Sequence, residues 1–100
     1  MNTKLPPVHP GEVLLEDFLK PLNITPHRLS ASIHVPPIRI SEIVRGMRSI
    51  SANTALRLAR YFGTSPQFWM NLQTHYDLEI ERDHNWTKTE RMIQPLQIAA

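Results

Sequence analysis

The residues able to do chemistry are few, and their spacing decides what kind. The five histidines, His9, His27, His34, His75 and His84, are separated by 18, 7, 41 and 9 positions. No pair stands four apart on a helix, the separation at which two imidazoles share one metal-facing side. Glu79 and Glu81 lie two apart, on different faces of any helix that carries them. Cysteine is absent, which removes disulfides, thiolate metal sites and thiol nucleophiles together. The three glycines, Gly11, Gly46 and Gly63, are too scattered to cradle a phosphate, and no nucleophile elbow is present. No catalytic activity, metal or cofactor is expected.

Arginine is the chemistry that remains. Positions 25–60 hold Arg28, Arg39, Arg45, Arg48, Arg57 and Arg60 against one acid, Glu42, a net of +5 in a chain whose total is only +2. The rest has five bases and eight acids and nets −3. A basic middle between acidic ends suits a face that meets a polyanion, because arginine–phosphate contacts supply most sequence-independent affinity for DNA. The same charges also read as solvated helix faces. His27 and His34 flank the basic stretch, as phosphate contacts or as solvated turn residues.

These side chains need a scaffold, and every clear periodicity is helical. One hundred residues, 41% of them hydrophobic, make a single domain with a buried core. Leu14, Leu15, Phe18, Leu19 and Leu22 mark a first helix that Pro10 starts and Pro21 stops. Thr25 caps a short second helix near 26–33, with Pro26 at its first position and Leu29, Ala31, Ser32 and Ile33 as its apolar or small residues. A turn at 33–36 leads into a third helix from about Pro37 to Arg45, with Ile40, Ile43 and Val44 inside and Gly46 just past its end. Ser51 caps a fourth helix, where Ala52, Ala55, Leu56, Ala59 and Phe62 follow the 3.6-residue period up to Gly63. A fifth, roughly 66–83, carries Phe68, Trp69, Leu72, Tyr76 and Ile80 along one side. Thr87 to Glu90 has capping-box spacing, which predicts a last short helix running to Pro95 and a frayed tail over Leu96–Ala100.

Two short helices joined by a tight turn and followed by packing helices form the helix-turn-helix plan, whose second helix enters the DNA major groove. Leu29 to Val35 followed by Ile40 to Gly46 resembles the repressor-type Xre/Cro helix-turn-helix in apolar spacing and in its Arg-Gly ending. The predicted fold is therefore all-α, a five- to six-helix, lambda-repressor-type domain over 9–83 with a short C-terminal helix and tail over 84–100. His9-Pro10-Gly11-Glu12, Ile50-Ser51, Ala55 to Ala59, Phe62 to Pro66 and Phe68 to Gln73 are similar, in that order, to the HigA/VapI antitoxins of bacterial toxin–antitoxin modules. That resemblance implies a homodimer that binds double-stranded operator DNA, represses its own operon and neutralises a small RelE-like (HigB) endoribonuclease.

A helix in the groove offers its first turn and one position a turn later, so Pro37, Ile38 and Glu42 are the expected base-facing residues, with Arg39 reaching phosphate or a flanking guanine. Related proteins often carry hydroxyl or amide side chains where this chain has Pro36, Pro37 and Ile38. Ile38 can pack on a thymine methyl and Glu42 can accept from a cytosine amino group; otherwise direct readout rests on Arg39 and DNA shape. Thr25, Pro26 and His27 at the second helix, and Arg45, Arg48, Ser49, Ser51 and Asn53 around the next loop, are expected to fix position on the phosphates. For Arg45 and Arg48 a solvated helix end, and for Ser51 simple capping, are the competing readings. Phe68, Trp69, Leu72 and Tyr76 are expected to close the core, and the outer edge of their helix, with Met70, to form the dimer seam.

Two other functions fit the same residues: a repressor without a toxin, and a protein-binding module whose proline-started third helix has lost DNA recognition. Met1 to His9 has no apolar run of signal length and no stretch approaches a membrane span, so a cytoplasmic bacterial protein with no membrane contact is expected.

Overall fold

The computed structural model describes residues 5–98; the start of the Met1–His9 segment and the last two residues of the Leu96–Ala100 tail lie outside them. Among the described residues the architecture is all helical, as the periodicity predicts. Helix α1 starts at Pro10, runs over Pro10–Val13 and widens to i+5 hydrogen bonding over Leu14–Leu19. Leu14 and Leu19 are buried, but Leu22 is exposed. Lys20 keeps helical angles (φ −62°, ψ −50°), and the chain then turns through Asn23 at φ 54°, so Leu22 is exposed and Ile24 packs against the core instead.

Helix α2 spans Pro26–Ser32 and α3 spans Pro37–Val44. Thr25 caps α2 by accepting from the Arg28 N–H at 3.1 Å. The inner face of α2 is Leu29 and Ser30, followed by Ile33, whereas Ala31 and Ser32 face solvent, contrary to the pattern reading. Ser30 can be buried because its hydroxyl donates to the His27 carbonyl at 2.7 Å. Between the helices His34 takes φ 61°, a left-handed turn unusual outside glycine, flanked by buried Ile33 and Val35.

Helix α4 spans Ala52–Phe62 and α5 spans Pro66–Glu81, capped by Ser51 and Ser65 respectively. Thr54, Ala55, Leu58 and Ala59 are buried on α4, while Ala52 and Leu56 point outward, so the expected apolar face is rotated. Trp69 is fully buried; its indole N–H donates to the Thr64 hydroxyl at 2.8 Å, and its ring lies 4.9 Å from those of both Phe18 and Phe68. It joins α1, α4 and α5 through this aromatic cluster.

The chain does not break after α5. A wide turn over Arg82–Trp86 carries it into α6, Thr87–Met92, as one continuous helical rod of 27 residues, about 40 Å long at 1.5 Å per residue. Thr87 is itself helical (φ −56°, ψ −42°), so no capping box forms. Every residue from Glu81 to Ile98 is exposed. This projecting rod gives a radius of gyration of 17.3 Å, against roughly 13 Å for a compact chain of this length.

Where α1 crosses α3 the backbones nearly touch. A Cβ on Gly11 would stand 1.7 Å from the Ile43 carbonyl oxygen, so only glycine fits.

Candidate nucleic-acid interface

The candidate interface is the outer side of α3 and the loop that follows it. Ile40 and Ile43 are fully buried, which turns the other side of α3 outward: Pro37 is exposed, Ile38 is 54% exposed, and Arg39 and Glu42 are half-buried. The first turn of α3 has no side-chain cap, and Pro36 and Pro37 bring no N–H. The turn before it is held from outside. Arg57 of α4 donates to the carbonyls of Ile33 at 2.8 Å and His34 at 3.3 Å, and its Nε donates to Asn53 Oδ1 at 2.8 Å. Charge counting alone did not single out this role for Arg57.

The charged residues are organised differently from one another. Arg39 makes no side-chain hydrogen bond or ion pair among the described residues and remains available. Arg45 folds back, its Nε donating to the Ser41 carbonyl at 3.3 Å. Glu42 accepts two charge-assisted bonds on Oε1 from Arg48, at 2.8 Å from Nε and 2.7 Å from Nη2. This pair places Arg48 against the end of α3 and occupies one oxygen of the carboxylate expected to read cytosine. Spacing could not foretell it, because the contact spans six residues and depends on the left-handed turn at Gly46 (φ 75°).

Two residues of the resemblance motifs, given no role in the sequence reading, anchor the loop. Gln73 of α5 is 4% exposed; its Oε1 accepts from the Ile50 N–H at 2.7 Å, and its Nε2 donates to Asp77 at 2.9 Å and Ser49 at 3.4 Å. His9 caps α1, its Nδ1 accepting from the Gly11 N–H at 2.9 Å, while its ring meets Tyr76 edge-on at 4.8 Å. Burial holds the His9 imidazole below its usual 6.5, outweighing the upward pull of the Asp77 charge and the Arg48 backbone. A neutral ring is what this cap needs, since Nδ1 must be unprotonated to accept. The polar residue directly before Pro10 was the available signal for a cap.

Ser49, Ser51 and Asn53 are exposed beside this loop; Ser51 accepts from the Thr54 N–H at 3.3 Å as the cap of α4. Thr25, Pro26 and His27 stand at the start of α2, where Thr25 and His27 are exposed and Pro26 is half-buried. Of the aromatic helix, Trp69 lies wholly inside and cannot meet another molecule; Met70, Leu72 and Tyr76 are half-buried, and Phe68 keeps an exposed edge. Among the described residues no cluster of acidic and imidazole groups could hold a metal, and no helix is long and apolar enough to cross a membrane.

A short helix presented outward after a tight, externally pinned turn defines a helix-turn-helix protein. The sequence model of the helix-turn-helix family matches residues 15–69. Virulence-associated protein I of Dichelobacter nodosus is 53% identical over 79 residues, covering 79% of this chain and 73% of that protein. The solved structure of the Pseudomonas aeruginosa antitoxin HigA with the higBA promoter is 45% identical, covers 91% of this chain and 99% of its own, and superposes with a TM-score of 0.88. Antitoxin GraA in complex with its operator is 32% identical, covers 98% and 99% respectively, and also has a TM-score of 0.88. The chain belongs to the HigA/VapI-type antitoxins of the Xre helix-turn-helix family, a family of non-enzymatic DNA-binding proteins.

Proposed function

We propose that this chain is a sequence-specific operator-binding antitoxin that represses its own operon and neutralises a RelE-like (HigB) toxin in the bacterial cytoplasm. The observation that carries the DNA reading is the outward face of α3, where Ile38 and an Arg39 unpaired among the described residues lead and Arg45 and the loop arginine Arg48 follow. The promoter and operator named for the two solved relatives support the same choice of ligand. Ile38 packs on a thymine methyl and Arg39 reads guanine or a flanking phosphate; Glu42 accepts from cytosine only through the oxygen Arg48 leaves open. Thr25, Pro26 and His27, with Arg45, Arg48, Ser49, Ser51 and Asn53, fix the register on phosphates.

The protein acts as a homodimer in this reading, which spaces two recognition helices by about one DNA turn, ~34 Å. Phe68, Met70, Leu72 and Tyr76 remain candidates for the seam on their exposed edges. The projecting rod supplies a further surface: Leu78 and Trp86 line a cavity of about 220 Å³ with Glu81 and Arg82. An acidic stretch, Glu79–Asp83, lies on one side of Trp86 and the bases Lys88 and Arg91 on the other, so an antiparallel pair of rods opposes unlike charges.

The test is a gel shift on the chain's own promoter. Arg39→Ala is expected to relax sequence preference and cost about 1–3 kcal/mol, while Arg45→Ala weakens every duplex and shallows the salt dependence. Equal, weak binding of all duplexes by the unsubstituted protein would refute operator recognition and favour a protein-binding module. Copurification with the product of the adjacent reading frame tests the toxin; a repressor that recovers no ribonuclease-like partner acts alone.

A further inference from the structure

An open groove of about 610 Å³ lies between the end of α2 and the outer side of α4. It is as large as pockets that take small ligands or a few side chains. Its apolar wall is Ile33, Leu56 and Tyr61, and its polar rim includes His34, Arg57 and Arg60, with no carboxylate anywhere in the lining. Leu56 is 58% exposed on the solvent side of an amphipathic helix, in a place that α4 has no need to fill with leucine. Arg57 is immobilised by the Ile33, His34 and Asn53 oxygens through Nε and Nη1, which leaves Nη2 for an outside acceptor. Arg60, one turn further on, has no hydrogen bond or ion pair among the described residues.

The combination selects its occupant. Cations without counter-charges call for an anion, but a phosphate backbone gains little from an exposed leucine beside a half-buried tyrosine, and DNA interfaces are predominantly polar and basic. A protein segment that sets an aliphatic or aromatic side chain between carboxylates satisfies both walls: the apolar group covers Leu56 and Tyr61 while the acids reach Arg57 and Arg60. We propose that this groove is a docking site for such an acidic, apolar-centred segment of a partner protein. It is a surface separate from the outer face of α3 and does not depend on the identity of the operator. Because Asn53 contributes to the rim and also stands among the phosphate-positioning residues, an occupant borders the DNA-binding edge without covering Ile38 or Arg39.

The experiment is a backbone amide NMR titration of the full chain with four hexapeptides of the pattern Glu-Asp-X-X-Asp-Glu, with Leu, Ile, Phe or Trp at the X positions. At least one is expected to shift the amides of Leu56, Arg60 and Tyr61 in a saturable manner, and the Gln/Asn counterpart of that peptide is not. Leu56→Ser and Arg60→Ser change exposed side chains, so both variants fold; each should weaken binding about tenfold or more. Silence from all four peptides, or shifts unaffected by both substitutions, overturns the proposal. So does equal binding of hexaglutamate, which would make the groove a plain polyanion site, or saturation of the same amides by a random DNA duplex.

Discussion

Replacing Gln73 by methionine tests whether the loop after α3 is held from behind. The side chains are nearly equal in length, so the change removes polarity without opening a large cavity. The Ile50 N–H, now 2.7 Å from Gln73 Oε1, loses its acceptor inside the protein, since Ile50 is itself buried. An unpaired buried donor costs about 1–3 kcal/mol. The lost donation to Asp77 and the longer contact to Ser49 add little, because both partners reach solvent. The expected destabilisation is therefore about 2 kcal/mol, a sizeable part of the ~5–15 kcal/mol that holds a domain together. Urea unfolding at fixed chain concentration reads it as a lower midpoint with an unchanged slope. Fluorescence anisotropy with labelled operator should show weakened binding even where the variant is folded, because Ser49 and Ile50 lose their anchor. Gln73→Glu separates the two ends of the amide. It keeps the acceptor for Ile50 but sets a second carboxylate where Nε2 stood, 2.9 Å from Asp77 Oδ1, so its deficit should shrink as pH falls and one acid takes up a proton. A Gln73→Met protein within about 0.5 kcal/mol of the original, the range of ordinary surface substitutions, would refute the anchoring argument.

Gly11→Ala should lose more than any surface change, by at least about 3 kcal/mol, because its Cβ meets the Ile43 backbone and α1 must move away from α3; a thermal melt unchanged within error would contradict this. His9 makes stability depend on pH. Its folded value lies below its usual 6.5, so the unfolded chain binds the proton first and the contribution, complete above about pH 6.5, declines as pH falls below it. His9→Asn keeps a capping oxygen and should flatten that part of the profile, as measured by urea midpoints across pH 5–8. Glu42→Gln releases Arg48 from a charged partner and removes a negative charge from the candidate interface. It should tighten binding to random duplex and steepen the logarithmic salt slope by about 1, whereas weaker binding to every sequence would mean that the pair itself is needed.

The starts of the first five helices were legible because they rest on local chemistry, whereas the capping box expected at Thr87 does not form. Thr25, Ser51 and Ser65 each precede a helix and accept from its first turn, and prolines stand at the first helical position of α1, α2, α3 and α5. Ile40 and Ile43 fixed which side of α3 faces inward, and with it the exposure of Ile38. Helix rotation was harder. On α4 the set Ala52, Ala55, Leu56 and Ala59 fits the period as well as Thr54, Ala55, Leu58 and Ala59, and only packing against α5 decides between them. A threonine in the second set made it look the more polar, yet Thr54 is buried. The same ambiguity put Ala31 inside α2 in place of Ser30.

The interface contacts that escaped the sequence are those between elements. Gln73 looks like a surface residue until the Ile50 amide is seen to need an acceptor, and Arg57 counts only as charge until the His34 turn is brought to it. These contacts also account for how α3 holds its place without a capped first turn. Two prolines limit the freedom of its start, Ile40 and Ile43 fasten its inner side, Arg57 fixes the preceding carbonyls, and Gln73 fixes the loop behind. The rigid part of the candidate interface is thus the backbone of α3, with Arg45, Arg48 and Arg57 each tied to it or to its turn, and the adaptable part is the Arg39 side chain. For DNA recognition that division favours readout in which Ile38 demands close steric fit while Arg39 adjusts to groove width. In the proposed complex, operator variants should therefore discriminate most sharply at the base pair assigned to Ile38, where a thymine methyl is replaced by hydrogen without altering any phosphate contact.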